Sequence, residues 1–144
     1  MTFRIEQNSS VADIQHAFSL EYPYLKIEFF EPCHRSVPPR KRKGVSGETT
    51  LGNIGKILSP ADLEFNEETS VAELEEKFQD MFGISAQVYR RAGNIWIETN
   101  ITDKWTLKHQ NEQGRQLSVH NTKSLDDIMR QRREEGALNR DVVE

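Results

Sequence analysis

The chain has a single cysteine, Cys33, so no disulfide can close within it, which agrees with a reducing compartment. Its neighbour is His34, while His16, His109 and His120 lie scattered, with no His-x-x-x-His or Cys-x-x-Cys spacing. No metal site is therefore expected. No apolar run approaches the roughly 20 residues of a membrane-spanning helix. The opening MTFRIEQNSS has neither the basic start nor the apolar stretch of a secretory signal. The expectation is a cytoplasmic protein without membrane contact. Positive charge is also in short supply: 19 Lys and Arg stand against 23 Asp and Glu, for a net charge of -4 and a pI near 5.6. A general nucleic-acid binder would be basic. Nucleophile elbow, zinc-binding helix, phosphate-loop and RNA-binding sheet signatures are all missing. No cofactor is expected, and an enzyme is the reading with the poorest support.

What is present is a pattern written twice. Residues 10–30, SVADIQHAFSLEYPYLKIEFF, are matched sixty residues later by SVAELEEKFQDMFGISAQVYRR at 70–91. Ser10 and Ser70 can each cap a helix, with Asp13 and Glu73 three residues on as the second half of a capping box. Val11, Ile14, Ala17 and Phe18 recur at helical spacing, as do Val71, Leu74, Phe78 and Met81, so each helix has one face to bury. Pro23 and Gly83 stop the helices. Phe3 and Ile5 precede the first helix and Leu63 and Phe65 the second, alternating as strands do. Two strand–helix–strand units predict an α+β fold, a ferredoxin-like sandwich in which both helices cover one antiparallel sheet.

With 144 residues, 35% hydrophobic and 29% charged, and a mean hydropathy of -0.72, the chain suits one core with polar stretches outside it. A single α+β domain is expected over 1–122, with repeat units 1–31 and 61–91, a long basic loop 32–60 and a hairpin 87–100. A helical, partly disordered extension follows at 123–144, with Ser124 opening an amphipathic stretch to Glu135. The loop 32–60 exceeds the usual connection, and Leu51, Ile54 and Ile57 within it suit a short helix or strand. In the hairpin, Ala92-Gly93 is the expected turn. It places Tyr89 opposite Trp96 and lines a core face with Ile84, Ala86, Val88, Ile95 and Ile97. Beyond Asn100, Thr102, Asp103 or Thr106 can cap a helix that carries Leu107 and ends near Gly114, with Trp105 packing back on the sheet.

Beside the amphipathic 124–135 stretch, whose stripe can dock into a partner groove or pair with its own copy, two surfaces emerge as candidate sites. One is the sheet face of Tyr89, Arg91 and Trp96, extended by Tyr24 and Phe30, where rings beside a cation can stack a flat ligand. The other is the basic run Arg40, Lys41, Arg42 and Lys43, whose glycine-containing surroundings suit a phosphate but lack the Gly-Lys-Thr closure of a phosphate loop. The first expectation is a non-catalytic interaction or regulatory module with an unknown protein partner or self-association. The alternative is binding of a nucleotide, phosphorylated ligand or single-stranded nucleic acid.

Overall fold

The computed structural model describes residues 1–31 and 43–119. The fold is α+β. Strand β1 (Thr2–Ile5) leads to helix α1 (Val11–Glu21) and strand β2 (Leu25–Phe30); a 3₁₀ turn (Leu51–Asn53) precedes strand β3 (Ala61–Glu64), helix α2 (Val71–Phe82), and strands β4 (Ser85–Ala92) and β5 (Ile95–Glu98). A third helix, α3, runs through 107–119.

The helices begin where the sequence places them, for a local reason. The Ser10 hydroxyl accepts the Asp13 amide and the Ser70 hydroxyl the Glu73 amide, each at 3.1 Å. Gly83 ends α2 at φ 66°, a left-handed cap that glycine enters without steric cost. The apolar stripe of α2 closes on buried Phe82 rather than on Met81, which is 45% exposed.

Strand pairing departs from a ferredoxin-like sandwich. Instead of one sheet there are two: β1 pairs with β3, and β2, β4 and β5 form a second sheet in that order, all antiparallel. Phe3 pairs with Leu63, its counterpart sixty residues on, and Glu28 pairs with Gln87. The two sheets and the helices share one buried cluster, in which Phe18 lies 6.3 Å from Phe65 and Phe29 lies 5.2 Å from Phe78.

The likeness between the halves runs further than the helix stripes. The Glu6 amide donates to the Ser9 hydroxyl, and the Asn66 amide to the Thr69 hydroxyl. At the start of α1, the Val11 and Ala12 amides donate to the carbonyls of Thr49 and Gly47; at the start of α2, Val71 and Ala72 donate to those of Trp105 and Asp103. Leu51 and Leu107 then donate back to the carbonyls of Ser9 and Thr69. Each helix is thus clasped by a Thr-Leu segment, Thr50-Leu51 or Thr106-Leu107. Residues 43–60, expected as loop, are consequently tied into the core, with Leu51, Ile54 and Ile57 buried.

Helix α3 is capped by Thr106, whose hydroxyl accepts the His109 amide at 3.1 Å. It does not stop at Gly114. That glycine sits mid-helix because a Cβ there would lie 2.9 Å from the Tyr24 Cβ and 3.2 Å from the Arg91 carbonyl. Gly114→Ala should therefore destabilise the protein by about 1–3 kcal/mol in urea unfolding, overpacking outweighing the roughly 1 kcal/mol of helix propensity that alanine adds. An alanine variant more stable than the parent would mean that the helix does not seat closely here.

Candidate functional site

The site is built on the three-stranded sheet. The Arg91 amide donates to the Tyr24 carbonyl, so odd-numbered residues of β4 turn their backbone groups toward β2. Arg90 and Ala92 therefore bond to Ile97 and Ile95 of β5. The backbone groups of Trp96 and Glu98 are left on the outer edge, where β5 meets no further strand among the described residues.

The turn that sets this register is Gly93-Asn94, not Ala92-Gly93. Gly93 has φ 66° and Asn94 does not have positive φ, the arrangement of a turn that wants glycine first. Trp96 consequently faces Arg91, and Tyr89 faces Glu98. The slip keeps every side chain on its expected face because it moves the pairing by two residues in sum. The core face is less complete than expected. Ile84 and Val88 are fully buried, but Ile97 is half-buried and Ile95 is 61% exposed, since Ile95 lies beside the turn at the far end of β4.

On the opposite face, Lys26 spans the sheet. Its Nζ lies 5.3 Å from the centre of the Tyr89 ring and 5.1 Å from that of Trp96, and 3.3 Å from the Glu28 carboxylate. Burial, then the carboxylates of Glu98, Glu28 and Glu75, raise the Tyr89 phenol above its ordinary pKa. The structure thus brings Tyr89, Arg91 and Trp96 onto one surface and adds Lys26, Glu28 and Glu98. The Lys26 signal was present in the alternation of β2, but which strand lay beside it was not. Phe30 is buried and adds nothing to the open area; Tyr24 lies at the margin, its amide on the Asn111 side chain. Arg40, Lys41 and Arg42 lie outside the described residues, as do Cys33, His34 and the 123–144 extension. Lys43 is exposed, 3.9 Å from Glu31.

Two further polar groups sit on or beside the sheet. Glu75 of α2 reaches the uncovered edge of β4 and accepts the Val88 amide at 2.9 Å, where the Thr99 hydroxyl donates to the Val88 carbonyl. Together they replace a strand partner at that position. Burial pushes the Glu75 carboxyl up to about 7; the Val88 hydrogen bond opposes this and Asp103 adds to it. Arg90, on the covered face, donates to Gln110 at 3.0 Å and stacks 5.4 Å from the Trp105 ring, so Trp105 does pack back on the sheet. Burial lowers its pKa.

The first three amides of each helix all donate, to the carbonyls of Thr49 and Gly47 and the Ser10 hydroxyl in α1, and to those of Trp105 and Asp103 and the Ser70 hydroxyl in α2, which removes the usual anion site at a helix start. Among the described residues, no group of three His, Cys, Asp or Glu side chains could hold a metal ion, and no helix is long and apolar enough to cross a membrane. What the sheet presents is a strand edge unpaired among the described residues, with Ile95 and Trp96 exposed, beside a patch of two aromatic rings, two cations and two carboxylates.

No family model, curated protein or solved structure matches the chain.

Proposed function

We propose that this chain is a non-catalytic cytoplasmic interaction module that recognises an extended protein segment along β5 and the adjoining Lys26, Tyr89 and Trp96 surface. The observation that carries this reading is the outer edge of β5, whose Trp96 and Glu98 backbone groups have no strand partner among the described residues. An edge of this kind is a template for another strand: main-chain bonds supply affinity, and side chains at alternate positions supply selectivity. Exposed Ile95 and Trp96 are the apolar side chains such contacts bury.

Binding of a nucleotide or single-stranded nucleic acid is less well supported by the same face. Lys26 already lies against both rings, and Glu28 and Glu98 balance Lys26 and Arg91, so a stacked anion would meet two carboxylates. Replacing Arg40 to Lys43 by serine separates the readings: it abolishes salt-sensitive anion binding under this second one and leaves strand recognition intact under the first.

The direct test is a photo-reactive benzophenone side chain placed at position 96, with position 20 on α1 as a control, since Leu20 is also exposed. A protein cross-linked from 96 and not from 20 is the expected result. Equal labelling at both positions, or none at 96, would contradict the reading.

A further inference from the structure

We infer that the strand which completes the β5 edge is β5 of a second copy of this chain, paired antiparallel about a two-fold axis at Ile97. This rests on the interaction reading above and names its partner.

Charge selects the register. The outward groups of β5 belong to Trp96 and Glu98, so a symmetric antiparallel pairing has three choices: Trp96 against Trp96, Glu98 against Glu98, or Trp96 against Glu98 of the second copy. The second sets two carboxylates directly opposite each other, which is unfavourable. The first brings together two Lys26 ammonium groups, because each lies over its own Trp96 ring. The third places each Glu98 opposite a Trp96 that has Lys26 over its ring and Arg91 as its cross-strand neighbour. Each Glu98 carboxylate then faces the Lys26 ammonium over that ring, with Arg91 one strand further on, and the contact occurs twice in the dimer.

The other face agrees with this choice. Ile97, half-buried in the single chain, lies opposite Ile97 of the second copy. Two three-stranded sheets become one sheet of six strands with both β5 edges covered. The four residues of β5 form a short edge, so the side-chain charges contribute much of the selectivity.

The experiment uses two variants of the full chain. In Glu98→Lys, like charges face each other at both contacts of a homodimer. In the double variant Lys26→Glu with Arg91→Glu, they do so again with the signs reversed. Sedimentation equilibrium should show the unmodified chain as a dimer and each variant with a dissociation constant raised about tenfold or more. Mixed in equal amounts, the variants should form a one-to-one heterodimer in native mass spectrometry, because both contacts are then attractive. That recovery also shows that each variant is folded. Dimers of undiminished strength in both variants, or a mixture that stays monomeric, would overturn the Ile97 register. If the unmodified chain is a monomer that still labels another protein from position 96, the second copy is overturned and the interaction reading stands. A monomer that labels nothing from that position overturns both.

Discussion

Glu75→Gln should stabilise the protein by roughly 3 kcal/mol above neutral pH and change little near pH 5. Glu75 has its carboxyl raised from 4.5 to about 7, first by burial and next by Asp103, against the pull of the Val88 amide. Its folded-state pKa lies above its unfolded one, so the folded state binds more protons between those values. Stability is then greatest below about pH 4.5 and falls as pH rises through about 7. Glutamine retains an oxygen for the Val88 amide and carries no charge to desolvate. Urea unfolding of both proteins from mildly acidic to mildly alkaline pH should give curves that diverge with rising pH, the parent being the weaker. Parallel curves would show that Glu75 is solvated. The exposed Glu112 does not mimic this effect, because hydrogen bonds from Arg115 and Gln116 lower its pKa to about 2, and its contribution is lost toward acid instead.

Phe18→Ala and Phe78→Ala should each cost about 3–5 kcal/mol, the range for emptying a fully buried aromatic position. Both side chains are 0% exposed, on helices that begin sixty residues apart. Phe18 contacts Phe65 beside β3, and Phe78 contacts Phe29 of β2, so each helix packs on elements of the other half. The whole chain should therefore unfold in one transition in both variants, by tryptophan fluorescence and by circular dichroism alike. The two tryptophans report only from the second half, at 96 and 105. If Phe18→Ala gave a circular-dichroism transition that the tryptophans did not share, the two halves would be separate cooperative units.

These features were legible in the sequence to different degrees. Helix starts were readable because a cap is local: Ser10 and Asp13, or Ser70 and Glu73, announce themselves within four residues. Strand pairing was not, since nothing near Phe3 specifies that it meets Leu63, and the same alternation suits one sheet or two. The Thr-Leu clasps left a faint trace in the shared dipeptides at 50–51 and 106–107, but only the hydrogen bonds to the helix starts give that trace meaning. Gly93 is the turn glycine that the sequence announces, but it stands first in the turn rather than second. Gly114 looked like a helix end and is a point of close approach. Glu75 resembled its solvated neighbours Glu73 and Glu76, because a raised carboxyl pKa depends on the β4 edge it reaches. On the sheet face, Tyr89, Arg91 and Trp96 were recognisable by alternation alone. The role of Lys26 followed only once β2 was known to lie beside β4.

The most direct test of β5 as a recognition edge is amide hydrogen exchange at Trp96 and Glu98, followed by NMR as protein concentration is raised. The structure predicts rapid exchange in dilute solution and protection as the edge is covered, while the Ile95 and Ile97 amides, bonded to β4, stay protected throughout. Slow exchange at Trp96 and Glu98 at every dilution would mean that the chain already covers this edge itself, and would contradict the account.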